Sequence, residues 1–221
     1  MSTMKTIWDG LDWSFLTDIL LSVIPALICI TLHELSHGLA AYRLGDTTAK
    51  DAGRLTLNPI KHLDIMGILM MVVFHFGWAK PVPVNMYRFR NPKRGMAITA
   101  LAGPAANVVI SIVFLFLYGL LFRPLGGGGI VLEMIYITAY LSISFAIFNI
   151  LPISPLDGSK VLFSLLPERR YAQLMRYERY GMILLLVLVS SGILGRPLST
   201  ATGWAFKKLM IFAEWGYELI G

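Results

Sequence analysis

His33, Glu34 and His37 stand together in "TLHELSHGL", residues 31–39. Two histidines four apart share one face of a helix, one turn above the other, so both imidazoles can ligate a single metal ion. Glu34 lies beside them as a base for a water molecule. Zinc is the expected metal, because it takes imidazole and carboxylate donors and polarises a carbonyl without redox chemistry. A catalytic zinc site uses three protein ligands, so another segment must supply the third. The candidate is Asp157, in "FNILPISPLDGSKVLF" at 148–163, where Pro152, Pro155 and Gly158 interrupt regular helix. The simpler roles are an N-cap for Asp157 and neutral packing for the histidines, with Glu34 paired to an arginine. Cys29, one turn above His33, reads as a small buried hydrophobe rather than a ligand.

The elements that carry these residues are apolar. Of 221 residues, 56% are hydrophobic and only 14% charged, with a mean hydropathy of +0.68. A soluble domain carries about 25% charged residues, so the composition predicts an all-α polytopic membrane protein with about 4–6 spans. Residues 1–221 read as a single transmembrane domain. Four segments have the length of a span, about 15–42, 96–122, 130–151 and 178–195. Ionisable residues inside a span are expensive and default to a functional reading. The run "IMGILMMVVFHF" at 65–76 is short for a span and reads as re-entrant or interfacial, and "KDAGRLTLNP" at 50–59 as a short strand or hairpin. The C-terminal "GWAFKKLMIFAEWGYELI" suits a helix in the interface or along the bundle edge.

The net charge of +6 raises the question of nucleic acid. Its distribution answers otherwise. If 65–76 does not cross, the connectors 43–62, 77–95 and the one after 130–151 share a face and hold 14 of the 19 basic residues. The positive-inside rule then makes that face cytosolic, with membrane lipid and no nucleic acid as the surroundings.

"HELSH" in a first core span, with "NILPISPLDG" in a later one, resembles the site-2 protease family, M50, of intramembrane zinc metalloproteases. The resemblance includes "AGPAAN" at 102–107, "GRLTLNP" and "GWAKPVPVN", and covers roughly residues 30–165. It implies one Zn2+ held by His33, His37 and Asp157, with Glu34 as catalytic base. It also implies that Asn149 binds the substrate backbone or steadies the oxyanion. The implied substrate is a single-span transmembrane protein, in a prokaryotic cell membrane, cut near the cytosolic side. The chain departs from other branches in having no room for a PDZ or CBS domain, so it looks like a minimal core member.

A helical substrate hides its carbonyls and must unwind before it is cut, and "FGWAKPVPVN" at 76–85 or part of 50–59 can offer it an extended edge. Gly103, Ala105 and Ala106 permit close helix approach, Asn107 suits an interhelical hydrogen bond, and Asn58-Pro59 suits a turn. His62 and His75 have no partner at ligand spacing. A transmembrane metal transporter is the main rival. It expects ligands strung through the membrane depth and gives Glu34 no special role.

Overall fold

The computed structural model describes residues 13–74 and 77–220. His75 and the basic residue Lys5 of the N-terminal stretch lie outside the described residues. Helices dominate: α1 (Trp13–Arg43), α2 (Thr48–Asp51), α3 (Ile65–Phe74), α4 (Pro92–Phe122), α5 (Ile130–Asn149), α6 (Asp157–Ser164), α7 (Glu168–Ser190), α8 (Gly195–Leu209) and α9 (Ile211–Glu218). The protein is an all-α, multi-pass membrane protein. Leu20–Arg43, Pro92–Phe122 and Ile130–Asn149 are long and apolar enough to cross a bilayer. Among the described residues, a fourth crossing arises only if Tyr180–Ser190 and Gly195–Glu218 count as one span bent by 85°. The number of spans therefore falls at or below the low end of the sequence expectation. The expected helix over 178–195 stops at Ser190, because Gly192 takes φ +72°, a left-handed conformation that helix cannot continue through.

α4 is the centre of the bundle and packs against α1, α5, α6 and α9. Its start follows from sequence: Asn91 accepts a hydrogen bond from the Arg94 N–H and Pro92 occupies the first turn, where its missing N–H costs nothing. A core of Leu115, Ala139, Ile143, Ala146, Phe206 and Ala213 joins α4, α5, α8 and α9. The backbones approach closely where α9 meets α4. A side chain at Gly119 would collide with the Ala213 carbonyl, and one at Gly216 with the Phe116 carbonyl. The C-terminal helices thus pack against the bundle. Polarity is inverted relative to a soluble protein. Val109, Ile183 and Val187 are exposed on the outside, whereas His33, His37, Asn107, Ser111, Ser142 and Asp157 are buried.

The connectors differ from expectation. Residues 50–59 form no strand: α2 ends at Asp51 and is followed by Gly53, whose φ is +64°, and Asn58 accepts from the Ile60 N–H to open a 3-10 turn over Pro59–His62. The β element is one antiparallel bridge, Leu63 to Ala79, with Lys80 N–H donating to the His62 carbonyl at 2.9 Å. That bridge joins the two ends of the excursion through α3, whose ten residues reach about 15 Å and cannot span a core of about 30 Å. The segment goes out and returns, as a re-entrant element does.

Side chains then tie the basic connectors to one another. The buried Arg54 donates Nη2 to the Lys80 carbonyl at 2.7 Å, Arg88 Nη1 lies 4.0 Å from Asp46 Oδ1, and Lys93 Nζ donates to the Leu166 carbonyl. His62 is fully buried in this loop layer, its Nε2 donating to the Thr56 carbonyl at 2.9 Å. All three basic connectors thus meet at one end of the bundle.

Asp46 is the anchor of that layer. It is fully buried, and its carboxylate accepts from the backbone N–H of Thr48 at 3.0 Å and of Asn85 at 2.6 Å. Burial alone would raise its pKa. Hydrogen bonds from the Thr48 hydroxyl, the Asn85 N–H and the Thr48 N–H, together with Arg88, outweigh burial and hold it below the usual carboxylate value. A carboxyl depressed in the folded state contributes stability above its ordinary pKa of about 3.9 and loses it as pH falls through the lower folded value. Asp46→Asn should therefore lower the melting temperature at pH 7 and flatten the acid loss of stability that wild type shows below about pH 4. Parallel melting curves of both proteins across pH check this, and identical acid slopes would refute it.

Candidate metal centre

α1 carries His33, Glu34 and His37 on consecutive turns, and the two imidazoles stand edge to face with centroids 4.5 Å apart. Asp157 reaches them from the first turn of α6, which follows the irregular stretch 150–156. Gly158 permits this route, since any side chain there would strike the Ile150 carbonyl. Leu156, not Asp157, is the N-cap residue, and the Asp157 carboxylate points to the histidines instead of to its own helix. Oδ2 lies 3.2 Å from His33 Nε2 and 3.1 Å from His37 Nε2, and the two Nε2 atoms are 2.9 Å apart. All three residues are buried.

This donor set fits a zinc ion. A tetrahedral ion with bonds of about 2.0–2.1 Å separates its donors by roughly 3.4 Å, close to the sides of this triangle. Among the described residues, His33, His37 and Asp157 are the one group of three or more such side chains able to hold a metal. Among the described residues, the buried Asp157 Oδ2 has no hydrogen-bond donor other than the two histidines, as suits a metal ligand. Cys29 stays out of the cluster: it is fully buried and its Sγ contacts the Thr138 carbonyl at 3.5 Å.

The surrounding residues hold the histidines from behind. His37 Nδ1 is 2.7 Å from the Thr99 carbonyl. A carbonyl only accepts, so Nδ1 carries the proton and Nε2 keeps its lone pair for a metal. Asn107 closes on His33 Nδ1 at 3.2 Å, an interhelical contact of the kind its sequence position suggested. Gly103 presses on both rings: a Cβ there would lie 2.5 Å from His37 Cε1 and Nε2 and 2.6 Å from His33 Cε1. Of the three small residues expected to pack closely, Gly103 does so at the centre, whereas Ala105 is exposed and Ala106 half-buried. The Thr99 contact had no signal in the sequence, because a main-chain carbonyl leaves no trace in residue type.

Glu34 is half-buried on the neighbouring face, and its Oε2 accepts from the Val82 N–H at 2.8 Å. Val82 belongs to the irregular stretch 80–85, so the proline-rich connector is bonded to the carboxylate. Asn149, at the last turn of α5, is turned back on its own helix and donates Nδ2 to the Phe145 carbonyl at 3.0 Å. Lys160 Nζ lies 3.9 Å from Asp157 Oδ1.

Comparison with known proteins agrees with this chemistry. The profile of "Peptidase family M50" matches residues 127–191, which include Asn149 and Asp157. The chain is 39% identical to "Putative zinc metalloprotease YwhC" of Bacillus subtilis over 172 residues, covering 75% of this chain and 78% of that protein. It is 29% identical to "Putative zinc metalloprotease Rip2" of Mycolicibacterium smegmatis, over 81% of this chain and 70% of the relative. The Mycobacterium tuberculosis protein of the same name is 27% identical over 88% and 72%. No solved structure matches the chain significantly. Identity that runs across more than three-quarters of a zinc metalloprotease, on a helical membrane scaffold built to hold two histidines against an aspartate, means that the chain belongs to peptidase family M50 as a zinc metalloendopeptidase.

Proposed function

We propose that the protein is an intramembrane endopeptidase, cutting single-span membrane proteins in or near their transmembrane segment, with its active site toward the cytosolic end. One observation carries this reading: the buried His33–His37–Asp157 cluster draws its two histidines, with Glu34 beside them, from a helix apolar enough to cross the bilayer. Polar groups at that depth serve chemistry on a substrate that shares it. The cluster lies on the side of the three basic connectors, which the positive-inside rule places in the cytosol.

His33, His37 and Asp157 would hold the zinc. Once bound, zinc supplies a Lewis acid and brings the pKa of water to about 7. Glu34 then takes the proton from the attacking water and delivers it to the leaving amine. The Val82 N–H fixes the Glu34 carboxylate through Oε2, and a carboxylate has lone pairs left to orient water. Asn149 spends one of its two amide N–H groups on Phe145, and the second is available for a substrate carbonyl. The connector meets the substrate through the carbonyls of 81–83: Lys80 N–H is bonded to His62 and its carbonyl to Arg54, Pro81 and Pro83 have no N–H, and Val82 N–H is on Glu34. An unwound substrate strand would donate to those oxygens.

The test is cleavage of a single-span substrate co-reconstituted in liposomes, with the new termini mapped by mass spectrometry. Cuts within or next to the apolar segment are expected. Cuts confined to soluble loops would overturn the reading, as would zinc flux into the liposomes equal for wild type and Glu34→Gln. Proline or charge insertions along both 50–59 and 80–85 should abolish cleavage, and intact cleavage would remove the connector's role.

A further inference from the structure

Asn107 is fully buried in α4, one turn beyond Gly103, and its Oδ1 has no hydrogen-bond partner among the described residues. Its Nδ2 faces His33 Nδ1 at 3.2 Å. In that orientation the amide would donate, His33 Nδ1 would accept, and the imidazole proton would sit on Nε2. Nε2 is the atom that faces Asp157 and His37. A protonated Nε2 cannot bind a metal.

That fault has a remedy. The two ends of a carboxamide occupy nearly the same space, and turning the amide over about its last torsion exchanges them. Oδ1 then accepts from His33 Nδ1–H, and Nε2 presents a bare lone pair. The result matches what the Thr99 carbonyl does for His37.

We propose that Asn107 is a positioning residue for the metal centre, accepting from His33 Nδ1–H through Oδ1 and thereby fixing the tautomer that leaves Nε2 for zinc. This rests on the reading of His33 as a zinc ligand. Neighbouring contacts suit such a rigid role: the Asn107 main-chain carbonyl accepts from Ser142 Oγ at 2.8 Å, locking this turn of α4 to α5.

The experiment is zinc affinity, by chelator competition on purified full-length protein, for wild type and for Asn107→Leu, Asn107→Asp, Ser142→Ala and His33→Ala. Asn107→Leu should bind zinc about 10–100-fold more weakly, the usual effect of removing a partner of a ligating histidine. Asn107→Asp should bind within a few-fold of wild type, since a carboxylate can only accept and satisfies His33 Nδ1–H in the same way. Ser142→Ala disturbs the same helix contact without touching the imidazole, and should leave affinity unchanged. Wild-type affinity in Asn107→Leu would overturn the proposal, as would a loss in Asn107→Asp matching that in the leucine variant. An equal loss in Ser142→Ala would also overturn it, by exposing a merely structural role. The underlying reading fails separately, if His33→Ala keeps its zinc.

Discussion

Glu34→Gln is expected to keep its zinc and lose its activity. Glutamine is nearly isosteric with glutamate, and its side-chain oxygen can still accept from the Val82 N–H, so the connector stays in place. The three donor atoms that converge belong to His33, His37 and Asp157, so none of them is altered. What disappears is the ability to take a proton from water and pass it on, a role worth about 10²–10⁴ in rate. At the upper end this is roughly 5 kcal/mol of transition-state stabilisation. The measurement pairs metal analysis with turnover of a single-span substrate. His37→Ala serves as contrast, since it should lose both zinc and turnover. Cleavage that survives Glu34→Gln would sink the mechanism.

The second large effect comes from a residue without a side chain. Gly103→Ala places a methyl 2.5 Å from His37 Nε2 and 2.6 Å from His33 Cε1, where carbon atoms require about 3.5–4.0 Å. The rings must shift by about 1 Å, in a triangle whose sides are only 2.9–3.2 Å. Misplacement of that size costs about 10²-fold in rate, and a comparable loss of zinc affinity should accompany it. Helix propensity pulls the other way: alanine inside a helix is favoured over glycine by about 1 kcal/mol. Gly103→Ala should therefore remain folded, with a melting temperature close to wild type, and be poor in zinc. Full zinc content would show that the histidines can swing aside without penalty.

Much of the site was legible because its chemistry dictates residue type. Spacing of four places His33 and His37 on one helical face, and the coordination requirement of zinc then calls for a third ligand, for which Asp157 in its proline-broken segment is the candidate. The spans were legible for a similar reason, since lipid imposes length and composition together. Ends and connectors were harder. The helix expected to continue to 195 ends where Gly192 adopts positive φ, a choice set by local backbone rather than hydropathy. The strand expected at 50–59 gives way to turns, because Asn58 and Asp46 draw nearby N–H groups onto their side chains. Such competition depends on which partners the tertiary fold brings close. Asp46 meets Asn85, which lies 39 positions along the chain.

The two histidines supply electron pairs, but α4 decides where those pairs point. Thr99, through its main-chain carbonyl, and Asn107, through its amide, touch the far side of each ring, and Gly103 between them sets the clearance. One helix is thus the reference frame for the metal, and another carries the two histidines. Transplanting the HELSH turn onto a different membrane helix would move the donors and leave their aim behind. A graft would need the Thr99–Asn107 face as well, held at the same separation.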